Sequence, residues 1–517
     1  MTQIRVYARN LFASWVGYAA NLLVVFFLSP FIVQSLGDVQ YGVWSLMVSL
    51  TGYLGLIEAG TQAGLGRFIN FHLGRKEFEK VSGIASTGMA IFLAMGAILA
   101  VVACCLALLL PSIFAKIPGE LMGEARILCL LVALNLWLSL LAAPSRLIIQ
   151  SKERFELTNG IDLLVVLGRA AGTIAVLMSG GGLTELAYVQ ISSSLIGLLA
   201  AHVVARRIMP ELSISARQVS FAQFRELFGF SSWAFLAMIG YRLMSSTDAV
   251  VIAILLGPEW VTLYAIGDTL VQRATDLGNR GIHVFAPKMI QDCAKEDFQS
   301  LRMHYRQSVL VAMGVGILVA IGMICFSREF IELWMGPRFG ESYIVVAILA
   351  SSWLLSITFA AALPIFSGLN RVRLSAVLIL MQSVANIALS VSLVAFLDLG
   401  LAGVAWGTFY PRIGVCLLGT AIIMRLISMP IAAGSRDLAR WALLSTVFYF
   451  LCELINQLPF AGGWSSFFTK VACSVTGYGI LAWFLLLSKS QRAFVIRAFS
   501  TRWASRFANP KAMTESS

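Results

Sequence analysis

The chain has 517 residues, of which 59% are hydrophobic and 12% are charged, and its formal net charge is +12. Its mean hydropathy is +0.84, whereas soluble domains are typically about 25% charged and 45–50% apolar. This composition excludes an ordinary soluble protein and indicates a membrane protein with many spans.

Apolar stretches long enough to cross a bilayer as helices recur along the whole chain. They predict an all-α polytopic membrane protein with about fourteen transmembrane helices, because the short alternating segments of a β-barrel are not seen. The run after Arg9 is too long for the core of a cleaved signal peptide and is predicted to be the first span. The predicted spans are 10–35, 41–70, 84–110, 121–145, 157–179, 184–205, 227–256, 260–287, 306–326, 342–368, 373–397, 399–424, 438–458 and 465–487.

Lysines and arginines are concentrated in alternate loops, such as those around Arg75, Arg146, Arg206 and Lys288. The positive-inside rule then predicts that both termini are cytoplasmic in the cell inner (cytoplasmic) membrane, and this distribution argues against a nucleic-acid partner. The segment from Lys489 onward mixes basic and aromatic residues and is predicted to lie on the cytoplasmic leaflet.

The second half of the chain echoes the first at an offset of about 218 residues, as in Phe12–Trp15 and Phe230–Trp233. Repeats related in this way are typical of transporters, although generic similarity between apolar helices is the alternative. The predicted parts are a first six-helix bundle (1–205), a cytoplasmic linker (206–226), a second six-helix bundle (227–425), an appended helix pair (426–488) and a basic cytoplasmic tail (489–517).

Arginines stand inside or at the edge of several apolar stretches, where a charge at the helix centre costs about 2.5–3.5 kcal/mol on insertion scales. Several charges of one sign in such places predict a polar interior that receives an anion. These residues are Arg67, Arg169, Arg242, Arg273, Arg280 and Arg412.

The eighth predicted span holds the densest polar cluster. Arg273, Asp276 and Arg280 are spaced i, i+3 and i+7, which places them on one helix face. Two interpretations stay open: a self-neutralising triad that holds the helix in its bundle, or a cationic wall of a wet cavity. Arginine suits the second because its fork binds phosphate oxygens bidentately.

Asp162 and Arg169 share a face of the fifth span but lie two turns apart, so packing and cavity lining are equally compatible with them. Arg412 follows Pro411, where a kink can open the backbone toward a cavity. The acids Glu58, Asp248 and Asp268 are candidates for coupling ion or proton movement, and nothing in the sequence selects among them.

Catalytic and cofactor motifs are not found in the sequence, which has neither a phosphate-binding GxxxxGK[ST] loop nor HExxH. None of the eight cysteines forms a CxxC pair, and no metal or other cofactor is indicated. We therefore expect a gradient, the membrane potential or the substrate's own concentration difference to supply the energy.

The opening segment resembles the polysaccharide flippase family of the multidrug/oligosaccharidyl-lipid/polysaccharide exporter superfamily. The resemblance is carried by Pro30-Phe31, Leu36-Gly37, Tyr41-Gly42-Val43-Trp44, Glu58-Ala59-Gly60 and Arg67-Phe68-Ile69, and again by Asp248 to Gly257 with Leu263-Tyr264-Ala265.

This resemblance implies two six-helix bundles in a V around a central cavity and alternating access between the membrane faces. It implies a substrate, a polyprenyl-pyrophosphate-linked oligosaccharide for surface or exopolysaccharide biosynthesis, and other polysaccharide assembly proteins as partners. By analogy with related lipid flippases, Arg67, Arg242, Arg273 and Arg280 would bind the pyrophosphate. Fold analogy alone does not fix the substrate.

Two other functions are compatible with the sequence. A cation-coupled multidrug exporter of the same superfamily would favour an acidic cavity, whereas arginine predominates in these spans. A polytopic glycan polymerase or ligase would be an enzyme with a large outward loop, and the outward loops predicted here are short.

Overall fold

The structure is a computed structural model. It describes residues 21–54, 65–66, 68–70, 72–73, 75–152, 154–221, 223–225, 232–283, 285–430, 432–459 and 462–485. Within these ranges the regular elements are all helices, which confirms the predicted all-α class.

We number the longer helices in chain order. They are α1 (Asn21–Leu36), α2 (Asp38–Leu54), α3 (Phe78–Ile113), α4 (Gly119–Ser151), α5 (Phe155–Met178), α6 (Leu183–Ile208), α7 (Ser232–Leu255), α8 (Pro258–His283), α9 (Ala286–Ala294), α10 (Phe298–Trp334), α11 (Tyr343–Gly368), α12 (Val372–Ala395), α13 (Gly400–Leu426), α14 (Ala432–Asn456) and α15 (Gly463–Leu485).

The protein crosses the membrane many times. Ten helices of the described ranges are long and apolar enough to span a bilayer. Glycines with positive φ mark tight connections, such as Gly37 between α1 and α2 and Gly180 between α5 and α6. The total of fourteen spans stays a prediction.

Some helices extend well beyond the apolar stretch that predicts them. Helix α10 has 37 residues and is about 55 Å long, whereas the predicted span began at residue 306. Its start is capped by Asp297, whose side chain accepts a hydrogen bond from the backbone N–H of Ser300 at 3.0 Å. The first two turns contain Arg302 and His304, so hydropathy alone does not detect them.

The eighth predicted span also ends earlier than expected. Helix α8 ends at His283, and Pro287 lies at the start of the separate short helix α9 rather than closing the span. Proline is accepted in the first turn of a helix because the N–H that it lacks would have no partner there.

The helices form two compact units. The first contains Met1–Asp268 with Arg371–Val415, and the second contains Thr269–Asn370 with Cys416–Ser517. The predicted division into two six-helix bundles stays a prediction.

In the first unit, α3, α4 and α6 enclose an apolar core around Phe92 and Leu140. Close helix contact is possible at Gly96, where an added Cβ would lie 2.2 Å from Nε1 of Trp137. The Trp137 indole instead donates a hydrogen bond to the Phe92 carbonyl at 3.0 Å. The Trp137 indole on α4 therefore packs against Gly96 of α3, where the lack of a side chain leaves room for it.

The predicted linker after α6 is packed against α3. The backbone N–H groups of Ser213 and Ser215 donate to the hydroxyls of Ser82 and Ser86, at 3.2 and 3.0 Å. Thr87 accepts in the same way from the N–H of Ser220 at 3.2 Å. Hydroxyls on one face of α3 thus satisfy backbone groups of an irregular segment.

In the second unit, the C-terminal helices α14 and α15 pack on α10. Lys470 of α15 forms an ion pair with Glu329 of α10, with Nζ and Oε2 2.8 Å apart, and also donates to the Asn456 side chain. Phe330 meets Trp464 and Phe467 at ring-centroid distances of 5.9 and 5.6 Å.

Candidate functional site

The first unit contains a polar cavity of about 650 Å³ among α4, α5 and α6, with Asn21 of α1 at its wall. This volume lies in the range of small-molecule binding sites. The polar side chains that line it are Asn21, Ser139, Arg146, Gln150, Asn159, Asp162, Arg169 and Ser194. Among these described lining residues the formal charges sum to +1.

The lining of the cavity includes an ion pair between Arg146 of α4 and Asp162 of α5. Nη1 of Arg146 lies 2.5 Å from Oδ1 of Asp162, and their side chains are 29% and 45% exposed. Arg146 lies five residues before the end of α4 at Ser151, and Asp162 lies seven residues after the start of α5 at Phe155, so the short connection between the helices brings the two side chains to similar depths. Ion pairs this exposed typically contribute about 0–1 kcal/mol, so the pair is easily opened.

Arg169 lies on α5, as Asp162 does, but farther from the α4–α5 connection. It follows Asp162 by seven residues, about 10.5 Å along the axis of α5. Its Nε atom is buried and has no hydrogen-bond partner among the described residues. A buried N–H without a partner costs about 1–3 kcal/mol, more for a charged group, so an acceptor oxygen placed against this atom would be stabilising.

A glycine shapes the part of the lining next to Arg146. Gly197 of α6 lines the cavity, and a Cβ added there would lie 3.0 Å from Val165 and 3.7 Å from Nη2 of Arg146. Ser194, one turn earlier, donates to Oδ1 of Asn135 on α4 at 2.7 Å. The absence of a side chain at Gly197 leaves the space that the Arg146 guanidinium faces.

A second polar cluster surrounds Asp248 of α7, which is buried. Its Oδ2 accepts hydrogen bonds from the Tyr264 hydroxyl at 2.6 Å and the Thr408 hydroxyl at 3.0 Å. The Asn386 amide lies 3.5 Å from Oδ1 and donates to Thr408 at 2.8 Å. These donors compensate for the removal of a carboxylate from water.

The helices that carry this cluster approach closely. A Cβ added at Gly240 of α7 would lie 2.9 Å from Ile379, and one at Gly407 of α13 would lie 2.1 Å from the Ser390 hydroxyl. Ser383 of α12 donates to the Gly240 carbonyl at 2.5 Å. Arg412 lies one turn after Thr408, and its positive charge attracts the negative charge of the Asp248 carboxylate.

The structure describes only some of the predicted pyrophosphate-binding arginines. Arg67 and Glu58 lie outside the described residues, as do the side chains of Arg242 in α7 and Arg280 in α8. Arg273 is half-buried on α8 and Asp276 is exposed, and no ion pair joins them in the described part of the chain. Their assignment to a pyrophosphate stays a prediction.

Asp162 and Arg169 line the same cavity. Asp162 does not pair with Arg169, however; its ion-pair partner is Arg146 of α4. Arg146 was counted with the basic loop residues, yet it lies inside α4. The similar separation of Arg146 and Asp162 from the short α4–α5 connection, five and seven residues, was the signal that could have revealed this pair. No comparable signal marks Tyr264, Asn386 and Thr408 as the partners of Asp248. Within the described ranges, no cluster of three His, Cys, Asp or Glu residues could hold a metal ion.

Comparison with known proteins adds two relatives that match three quarters or more of the chain. The chain is 21% identical over 497 residues to the uncharacterized membrane protein EpsK of Bacillus subtilis strain 168, covering 95% of this chain and 97% of EpsK. It is 22% identical over 400 residues to a putative O-antigen transporter of Shigella flexneri, covering 75% and 91% of the two chains.

Solved structures share the fold. An inward-facing multidrug resistance MATE transporter of the MOP superfamily matches with a TM-score of 0.67 at 15% identity, covering 80% of this chain and 94% of that chain. The lipid II flippase MurJ, in its inward closed conformation, matches with a TM-score of 0.64 at 14% identity, covering 93% and 98%. Both likenesses confirm the polytopic helical fold.

The family model described as polysaccharide biosynthesis protein matches residues 35–347, more than half of the chain. This match confirms the resemblance predicted from the opening segment. The protein belongs to the polysaccharide biosynthesis protein family.

Proposed function

We propose that the protein is a flippase that carries a polyprenyl-pyrophosphate-linked oligosaccharide across the cell inner membrane for surface or exopolysaccharide biosynthesis. The observation that carries this proposal is the polar cavity among α4, α5 and α6. Its two arginines suit the phosphate oxygens of such a substrate, and its amides and hydroxyls suit sugar hydroxyls. The family match and the O-antigen transporter of Shigella flexneri support the same function.

The proposed cycle is alternating access between the two faces of the membrane. Positive loop charge favours cytoplasmic termini and therefore a cytoplasmic position for the α4–α5 turn. Arg146 then stands near the cytoplasmic entrance and Arg169 deeper in the membrane. An inside-negative potential favours outward movement of an anion by about 2.3 kcal/mol per charge per 100 mV.

The predicted arginines Arg67, Arg242, Arg273 and Arg280 remain part of this proposal as further contacts along the path of the pyrophosphate. The lipid tail stays in the bilayer while the polar head group crosses. Other polysaccharide assembly proteins would deliver the substrate and take up the product.

Among the three acids proposed for coupling, Asp248 has the strongest case. It is buried, three donors face its carboxylate, and the charge of Arg412 acts on it. A buried carboxylate in such a setting can exchange a proton or a cation while the surrounding helices move.

The buried Asp248 is also what favours the second candidate, a cation-coupled multidrug exporter. The shared fold does not discriminate, because a multidrug transporter and a lipid II flippase match the chain with similar TM-scores. The lining charge of the cavity favours an anionic substrate over the organic cations that such exporters carry.

Deletion of the gene tests the proposal. We expect the lipid-linked oligosaccharide to accumulate on the cytoplasmic side and surface glycan to be lost, with both restored by the intact gene. Normal surface glycan in the deletion strain, together with lost tolerance to organic cations, would favour the exporter.

A further inference from the structure

We propose that Asp162 is an internal anion that occupies Arg146 until the diphosphate of the substrate displaces it. In the loaded state the diphosphate takes the fork of Arg146 and extends toward Arg169. This inference rests on the proposed function, since it assigns the phosphate contacts of that same cavity to particular atoms.

The ion pair has the properties of an exchangeable contact. Its members come from different helices, and both side chains are partly exposed to the cavity that they line. The Asp162 side chain is 45% exposed, so water or another anion can reach it. A pair of this kind holds the guanidinium in place in the empty cavity but binds it weakly.

The deeper arginine supplies the second contact. The buried Nε of Arg169 has no hydrogen-bond partner among the described residues, so an acceptor from a ligand would satisfy it. Asp162 does not serve this atom in the structure, because its Oδ1 is paired with Arg146, and the two residues of α5 stand seven positions, about 10.5 Å, apart along the helix axis. Two phosphate groups in series match two separated arginines better than a single phosphate does.

Displacement also explains why a carboxylate is present in an anion site. With Asp162 ionised, the net charge of the lining is +1. A weakly bound anion such as chloride must then compete with the Asp162 carboxylate for Arg146. A diphosphate carries more charge and offers more acceptor oxygens, so it can displace Asp162 and gain charge-assisted hydrogen bonds. Specificity then arises from a competing group as well as from attractive ones.

Binding of inorganic pyrophosphate to the purified full-length protein tests this inference, with inorganic phosphate as the comparison ligand. For Asp162→Asn we expect about five- to tenfold tighter pyrophosphate binding and a smaller preference over phosphate, since the competing carboxylate is gone. Glu156→Gln is the matched control, because it removes a carboxylate of α5 that pairs with Arg154 and does not line the cavity. We expect it to bind as the unchanged protein does.

Two further variants keep the test decisive if Asp162→Asn folds poorly. Arg146→Lys retains an ion pair but loses the fork, and Arg169→Gln removes the deeper contact, so each should weaken pyrophosphate binding. Unchanged or weaker binding by folded Asp162→Asn, or unchanged binding by both arginine variants, would overturn the inference.

The same variants in vesicles separate the inference from the proposed function. If the protein flips lipid-linked oligosaccharide but these substitutions leave its pyrophosphate binding unchanged, the inference alone is rejected. If the substitutions change pyrophosphate binding as expected but the intact protein flips no lipid-linked oligosaccharide, the proposed function alone is rejected.

Discussion

Arg146 and Asp162 join two neighbouring helices across a polar cavity, with Nη1 and Oδ1 2.5 Å apart. Because Arg146 lies five residues before the end of α4 and Asp162 lies seven residues after the start of α5, the short connection between these helices brings opposite charges to similar depths. Arg169 then marks a second level about 10.5 Å farther along α5. The arrangement offers an entering anion two contacts in succession.

Replacement of Arg169 by glutamine should reduce flipping at least about tenfold while the protein remains folded, because a charge-assisted contact to the head group is lost. Arg169→Lys should retain part of the activity, since it keeps the charge but not the fork. Surface glycan in a deletion strain that expresses each variant is the measurement. Arg126→Gln, on an exposed part of α4, is the matched control, and equal activity of the two glutamine variants would contradict the role of Arg169.

Replacement of Asp248 by asparagine should abolish the dependence of flipping on an imposed ion gradient. The carboxylate is the group that would exchange a proton or cation, whereas its neighbours only donate hydrogen bonds to it. Tyr264→Phe should keep that dependence but lower stability by about 1.5–3 kcal/mol, as expected for a hydrogen bond to a charged group. Flipping in vesicles with defined gradients checks both, and a gradient response retained by Asp248→Asn would exclude it as the coupling residue.

Gly96→Ala should lower the stability of the first unit by about 1–3 kcal/mol, because the new methyl group would overlap the Trp137 indole. Gly168→Ala on α5 is the matched control, since nothing lies within 4 Å of a Cβ at that position. Denaturant unfolding in detergent compares the two free energies of unfolding. Equal effects would show that Gly96 is not a packing constraint.

Lys470→Met should destabilise the packing of α14 and α15 on α10, because it leaves Glu329 without its cation where that side chain is 27% exposed. The penalty should be larger than about 1 kcal/mol and be partly relieved by adding Glu329→Met. Arg328→Gln breaks an exposed pair with Glu332 and should cost less than about 0.5 kcal/mol. A double-mutant cycle gives the coupling energy, and a value near zero would show that the ion pair does not hold these helices.

The sequence was sufficient for the helical class, the many spans and the placement of Asp162 and Arg169 on one face of α5. These features depend on hydropathy and on the helical repeat, which are local properties. The role of Arg146 was missed because a basic residue near the end of an apolar stretch was counted with the loop, although the helix continues to Ser151.

The partners of Asp248 could not be predicted in this way. Tyr264 is 16 residues away, and Asn386 and Thr408 are 138 and 160 residues away. Only the packing of α7, α8, α12 and α13 brings them together, and that packing depends on close approach at Gly240 and Gly407. Helical periodicity carries no information about contacts between such distant segments.

The most direct test of the flippase is the movement of its substrate in vesicles. The purified full-length protein is reconstituted with lipid-linked oligosaccharide isolated from the deletion strain, and a lectin outside the vesicles reports how fast inner-leaflet sugar becomes accessible. We predict rapid exposure with the intact protein and slow exposure with Arg169→Gln. Exposure no faster than in protein-free vesicles would contradict the proposal that this protein moves a lipid-linked glycan.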